Sequence, residues 1–332
     1  MSFRRFLNTA VVMALVVSAR FLAAQVAVEV TPSDNGKVLV RVSNTKLKKV
    51  SFLRYNTPLH GMEANLFRIL RDGQPVKYIG KLALRVGPTD QDWVTLLPNE
   101  SITAEVDLSE HYALDRAGDY SVQFRYPVAV RDEESTGLRS AEDAVETPEV
   151  ESDVVNVWVG EVRSVVPPVE TRATRGFSGC TITQQNSINA AYSVSRTMAA
   201  RAHNALANNS TYQTWFGAYT TTRANTVKSN YRGIYYAHNG NWNSTCTTCE
   251  SGVIAYVYPS RPYNVWVCSY FHQFGATEKG SFLLHEASHW NAAAGTDDYG
   301  YGTTFCRNLA RTNPGNAIWN ADNYRYYALA TY

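Results

Sequence analysis

The sequence predicts two regions of different class: an all-β, sandwich-like first half, then an α-rich α+β second half with a small sheet. Three observations carry this. Short apolar runs with period-two alternation recur across residues 25–126. Past residue 176 the apolar spacing becomes helical. All five cysteines, Cys180, Cys246, Cys249, Cys268 and Cys306, lie in that second half. A chain of 332 residues is long enough to bury two separate cores.

The first element is residues 1–24. Arg4 and Arg5 precede an apolar run from Ala10 to Ala19, and small residues follow. This is the pattern of a signal peptide, with cleavage after Ala19 or Ala24. The run is too short for a membrane span and Arg20 interrupts it, so no membrane association is expected once the signal is removed.

Residues 25–175 form the β-rich region. Val26–Val30, Lys37–Val42 and Tyr120–Tyr126 alternate as strands do, and Asp34-Asn35-Gly36 is a hairpin turn signal. Gly118-Asp119 punctuates the approach to Tyr120. Residues 131–153 are acidic and poor in large apolar side chains, which reads as a solvated loop. Val154–Val159 reads as one more strand. Pro167-Pro168 and Arg172-Ala173-Thr174-Arg175 read as a linker.

Residues 176–332 form the helical region. Helices are predicted over 184–207, 212–231, 303–312 and 321–330, and a strand pair over Gly252–Pro259 and Asn264–Cys268. A further helix runs through Phe282, Leu283, Leu284 and Ala287 to Ala292–Ala294, with Gly295 ending it. Composition excludes a nucleic-acid partner: the net charge is +2 and charged residues are 18%. Five cysteines downstream of a secretion signal suggest two disulfides and one free thiol, with the pairing open. Cys306 reads as a buried small hydrophobe on the following helix.

The predicted helix over Phe282–Ala294 carries His285-Glu286-Ala287-Ser288-His289. At about 100° per residue, two imidazoles four residues apart stand about 40° apart around the axis, one turn up, and both Nε2 atoms can reach one ion. This is the pattern of catalytic zinc, which takes three protein ligands and leaves a fourth place for water. Glu286 can reach that water without ligating. After His289 the chain has no further His and no Glu, so a third downstream ligand must come from Asp297, Asp298 or Asp322.

These residues resemble the aspzincins, the deuterolysin and peptidyl-Lys metalloendopeptidase family, in which His-Glu-x-x-His is followed by Gly-Thr-x-Asp-x-x-Tyr-Gly. Here that second part is Gly295-Thr296-Asp297-Asp298-Tyr299-Gly300-Tyr301-Gly302. The resemblance extends over Thr214–Tyr219, Ala255–Pro259 and Asn320–Asn323, within residues 176–332, and is nearest the peptidyl-Lys branch. It implies a zincin-like catalytic domain holding one Zn2+ on His285, His289 and Asp298. Glu286 would be the general base and Tyr301 the oxyanion donor. The substrates would be proteins or peptides, bound by strand addition to an edge strand. It also implies disulfides Cys180–Cys246 and Cys249–Cys268, with Cys306 free. Asp322 matches an acidic residue of the pocket for the lysine after the cleaved bond. A second acidic residue, three positions on, is here Arg325, which can pair with Asp322 and weaken or broaden a lysine preference.

The resemblance further implies that residues 25–175 are a propeptide and intramolecular inhibitor, removed to leave a chain starting near Gly176. That region has no cysteine, so inhibition must be steric or come from another group such as His60, His111 or a carboxylate. The rival expectation is a non-catalytic secreted binding or adhesion protein with a structural zinc. Such sites normally close with four protein ligands, where this motif offers three and an idle Glu.

Overall fold

The computed structural model describes residues 25–132, 145–160 and 176–332. The signal peptide and the Pro167–Arg175 linker lie outside the described residues, as does the middle of the acidic stretch.

In the first half, apolar alternation builds three short antiparallel sheets around one core. Val26–Pro32, Lys37–Asn44 and Ser101–Asp107 form the first, with Val28 opposite Val42 and Val30 opposite Val40, and Val26 and Val38 buried with them. Val50–Leu53 pairs with Trp93–Leu96 and Val130–Asp132 in the second. Gly118–Pro127 is the spine of the third and pairs with Phe67–Arg71, Glu149–Glu151 and Val155–Val159. The acidic stretch is therefore not all loop. Val150 turns inward, while Glu149 and Glu151 both face Arg125 across the ladder at its exposed side.

The second half is helical with one sheet. Thr181 caps a long helix, Ile182–Ala205, through a capping box with Gln184. The single helix predicted over 212–231 is two, Ser210–Phe216 and Thr221–Ala237. Gly217 breaks it at φ 76°, where a Cβ would run into the Ala310 carbonyl. The motif helix, Ala276–His289, also ends earlier than predicted. The Trp290 carbonyl accepts from the N–H groups of Ala293, Ala294 and Gly295, so Ala292–Ala294 form a turn. Gly295 (φ 63°) then lies in the reversal that follows. Thr303–Thr312 and Ala321–Thr331 complete the helical set.

The sheet of this half contains more than the predicted pair. Gly176–Ser178, Asn243–Thr247 and Asn264–Cys268 run parallel, and Val253–Val257 is antiparallel to the last. Its outer partner is Leu82–Arg85, from the first half, which pairs antiparallel with Val253–Val257. Leu84 packs into the core of the helical half, while Leu82 packs with the β-rich core. Disulfides join Cys180 to Cys246 and Cys249 to Cys268, tying the ends of this sheet, and Cys306 is a buried free thiol.

Candidate metal centre

From Gly280 to His289 the motif helix is buried on every side. Such a helix puts its polar residues where water cannot satisfy them, so each must find a partner or serve a site. Ser288 does the first, donating to the His285 carbonyl at 2.6 Å and meeting the Thr296 hydroxyl at 2.6 Å. The Thr296 N–H also donates to the Ser288 carbonyl. These bonds fold the turn after Gly295 back onto the helix. The Asp297 N–H then donates to Trp319, and the Ala321 N–H donates to the Asp297 carbonyl, fixing the turn from its other side.

The three downstream aspartates go to three different places. Asp298 returns to the helix, where its oxygens stand 3.2 Å from His285 Nε2 and 3.3 Å from His289 Nε2. Asp297 turns away and accepts from Asn65 Nδ2 at 3.0 Å. Asp322 goes behind His285, with one oxygen 3.1 Å from its Nδ1 and 3.2 Å from Arg325 Nη1 and the other accepting from the Gly302 N–H. Among the described residues, His285, His289 and Asp298 are the one group of three able to hold a metal ion. Neither His60 nor His111 joins it.

The donor set fits zinc. His289 Nδ1 donates to the Thr296 carbonyl at 2.8 Å, and His285 Nδ1 donates to Asp322. Each ring then carries its lone pair on Nε2, and the two Nε2 atoms face one another at 3.2 Å. With both rings neutral, two lone pairs and a carboxylate gain nothing from each other unless a proton or a metal cation lies between them. Neither Asp298 oxygen has an aligned hydrogen bond despite its nearness to both rings. Ligands on tetrahedral zinc at about 2.0–2.1 Å stand about 3.3 Å apart; the two Nε2 atoms are 3.2 Å apart, and each has one Asp298 oxygen at 3.2 or 3.3 Å, Oδ1 for His285 and Oδ2 for His289.

Charge at the site follows the same logic. Burial disfavours a charged His285, but Asp298 and Asp322 outweigh it and raise its pKa to about 10. Burial likewise opposes an ionised Asp298, and the two imidazoles overcome it, holding the carboxyl far below its usual range. A cation in the triangle would take the place of that proton. Burial raises Glu286 to about 7, with His285 and His289 pulling against it. Its two oxygens are buried without a hydrogen-bond partner; the Leu84 backbone amide faces the carboxylate but falls short of bonding geometry.

Tyr301 stands on the same side, its ring 6.2 Å from that of His285. Its hydroxyl donates to the Ala83 carbonyl at 2.9 Å. Burial and then Asp298 push its pKa well up, so it stays a donor. The β-rich half also reaches the metal turn, where Tyr126 donates to the Asp298 carbonyl and Asn65 holds Asp297. Sequence reasoning missed Asn65, Ala83, Leu84 and Tyr126. The one signal available was the run Lys81–Arg85, three apolar residues between two basic ones, which resembles any short strand.

The chain matches the aspzincin family model, described as lysine-specific metallo-endopeptidase, over residues 200–329. It is 34% identical over 315 residues to an extracellular protease of Aeromonas hydrophila, spanning 90% of this chain and 89% of that protein. A peptidyl-Lys metalloendopeptidase of Armillaria mellea is 31% identical over 271 residues, 77% of this chain and 73% of that protein. A solved zinc peptidase of Grifola frondosa is similar at 32% identity and TM-score 0.44, covering 45% of this chain and 96% of that one. Identity at this level over most of both chains gives the family, and a His285, His289 and Asp298 group able to hold a metal ion agrees with it: the chain belongs to the aspzincins and is a zinc-dependent metalloendopeptidase.

Proposed function

We propose that the protein is a secreted endopeptidase made as a zymogen, in which residues 25–175 restrain a catalytic domain of residues 176–332. One Zn2+ is held by His285, His289 and Asp298. The observation that carries the reading is the convergence of those three ligand atoms, all within 4.8 Å of one another, beside a buried Glu286 with no partner of its own. Extracellular placement is supported by the relative named as an extracellular protease and by the two disulfides. No helix among the described residues is long and apolar enough to cross a membrane.

Zinc bound there would supply a Lewis acid for the scissile carbonyl and a water that loses its proton near neutral pH. Glu286, unpaired and with its pKa near 7, takes that proton and delivers it to the leaving amine. Tyr301 donates to the oxygen on which negative charge develops. The outer edge of Val253–Val257 receives extended substrate by strand addition. Asp322 orients His285 and borders the pocket for the residue after the cut, but Arg325 and His285 already engage its charge. Preference for lysine is therefore weakened relative to the family's description.

Restraint by the β-rich region is supported by its contacts. Leu82–Arg85 lies on the edge strand, Tyr126 and Asn65 hold the metal turn, and the ligands are sealed from solvent. A secreted binding protein with a structural zinc would leave Glu286 buried to no purpose, and such a penalty is not kept without a use. The test is casein hydrolysis by the full-length protein before and after limited proteolysis at the Arg172–Arg175 linker, with bound zinc measured in parallel. Chelation should abolish hydrolysis and zinc should restore it. Equal activity before and after conversion would remove the zymogen, and chelator-resistant hydrolysis would remove the metal mechanism.

A further inference from the structure

The strand Leu82–Arg85 lies on the edge of Val253–Val257 with a fixed direction and register. Leu82–Arg85 runs antiparallel to Val253–Val257, with Ala83 opposite Tyr256 and Leu84 opposite Ala255. In that register the Ala83 carbonyl accepts from Tyr301 at 2.9 Å. The amide of the next residue, Leu84, lies near the Glu286 carboxylate without an aligned hydrogen bond to it. A bond about to be cut must present these two groups to these two side chains: its carbonyl to the oxyanion donor, and its nitrogen to the acid that protonates the leaving amine.

We propose that Ala83–Leu84 occupies the place of the scissile bond, that Leu84 fills the subsite for the residue after the cut, and that the enzyme cleaves before Leu-sized apolar side chains in preference to lysine. This rests on the protease reading above and names its substrate class. Leu84 is fully buried and packs with the core of the helical half. Beside Tyr301, bordered by Arg85 of the same strand and by Val86 after it but not by Leu84, lies a cavity of about 630 Å³ whose walls include Phe274, Phe282, Asp322 and Arg325 and into which a side chain longer than leucine would extend. The Arg325 guanidinium sits 4.6 Å from the Phe282 ring centroid and 3.2 Å from Asp322. An ammonium group entering there meets a fixed guanidinium and finds the carboxylate already engaged, so it is desolvated without a partner. An apolar side chain meets the two phenylalanine rings and pays no such cost.

The flanking residues explain why the strand stays seated. Lys81 and Arg85 both pair with the buried Glu63 carboxylate, Arg85 also reaches Glu250, and the Val86 N–H donates to the Gly252 carbonyl. The strand is clamped on both sides of Ala83–Leu84 by contacts a free peptide lacks.

One peptide tests this, because the natural segment contains both candidate sites. Peptide Ile79–Pro88 carrying Leu82→Ala, which removes a second bond before leucine, holds Gly80–Lys81, a bond before lysine, and Ala83–Leu84, a bond before leucine. Full-length protein is loaded with zinc and converted by trypsin; the trypsin is then inactivated, and casein hydrolysis shows that the enzyme is active. Mass spectrometry of the peptide digest should show Leu84–Pro88 in at least about tenfold excess over Lys81–Pro88, and the Leu84→Lys peptide should be cut about tenfold more slowly at that bond. Predominant release of Lys81–Pro88, or no cleavage of the peptide by enzyme that digests casein, overturns the subsite assignment alone. Failure to digest casein after conversion with zinc bound overturns the protease reading, and this proposal with it.

Discussion

The Tyr301 hydroxyl donates to the carbonyl of Ala83, 218 residues earlier in the chain, at 2.9 Å. A side chain suited to developing negative charge is thus occupied by a backbone group of the region that covers the cleft. Removal of the β-rich region, as proposed above, would free the same hydroxyl for substrate. Tyr301→Phe removes the donor and keeps the ring that packs near His285. Loss of one such donor is worth about 10²–10³ in kcat, with KM moving far less, because the bond matters most in the transition state. Steady-state kinetics on one peptide substrate checks this; a change confined to KM would mean that Tyr301 only packs.

Glu286 and Asp298 are both acids in one buried site, but their surroundings separate them. Asp298 stands within 3.3 Å of both Nε2 atoms, and the Glu286 oxygens have no hydrogen-bond partner. Glu286→Gln should lower kcat by about 10²–10⁴ while the protein retains its zinc. Asp298→Ala should lower the zinc content itself, because two imidazoles alone leave the ion poorly held. Metal analysis after dialysis beside turnover separates the two, and the assignment fails if Glu286→Gln sheds zinc or Asp298→Ala keeps it.

Asp322 gives a third, distinct expectation. Its contact with His285 Nδ1 fixes the ring orientation and tautomer that leave Nε2 free to bind metal. Asp322→Asn keeps the shape and weakens the acceptor. Zinc affinity should fall by about 10–100-fold, as for other carboxylates behind a ligating histidine. Competition with a chromogenic chelator measures it. A lysine anchor with no part in holding the metal would leave affinity unchanged and alter only cleavage preference.

What the sequence made legible follows from how local each signal is. The spacing of His285 and His289 is a property of one helical turn, so the pattern is readable without a fold. The alternation in Val26–Pro32 and Lys37–Asn44 is equally local, and those strands fall within two residues of where they were predicted. Spacing alone left Asp297, Asp298 and Asp322 open as ligands, because a turn and a helix from elsewhere decide which carboxylate arrives; the choice of Asp298 came from the family pattern Gly-Thr-x-Asp at Gly295–Asp298. The split at Gly217 was not legible, since its cause is the Ala310 carbonyl on another helix. Least legible was the strand Leu82–Arg85. Its partner lies about 170 residues downstream, and nothing in four residues states whose edge they will join.

The last expectation concerns Glu63, whose carboxylate meets both Lys81 and Arg85. Burial alone would raise its pKa, but Arg85 and then Lys81 outweigh burial and hold it below the ordinary 4.5. A depressed carboxylate stabilises the fold fully above its unfolded pKa and loses that contribution as pH falls through the folded value. The stability gap between wild type and Glu63→Gln should therefore be widest above about pH 5 and shrink as pH drops below 4.5. At neutral pH the variant leaves two cations short of a buried partner. The loss should be about 2–3 kcal/mol, at or below the range for breaking a buried pair because Arg85 retains Glu250. Denaturant titrations at several pH values give the gap, and one that widens on acidification has the wrong sign for this clamp. If Glu63 acts by seating Leu82–Arg85, the unconverted Glu63→Gln chain should also hydrolyse casein faster than unconverted wild type, while the converted enzymes should match.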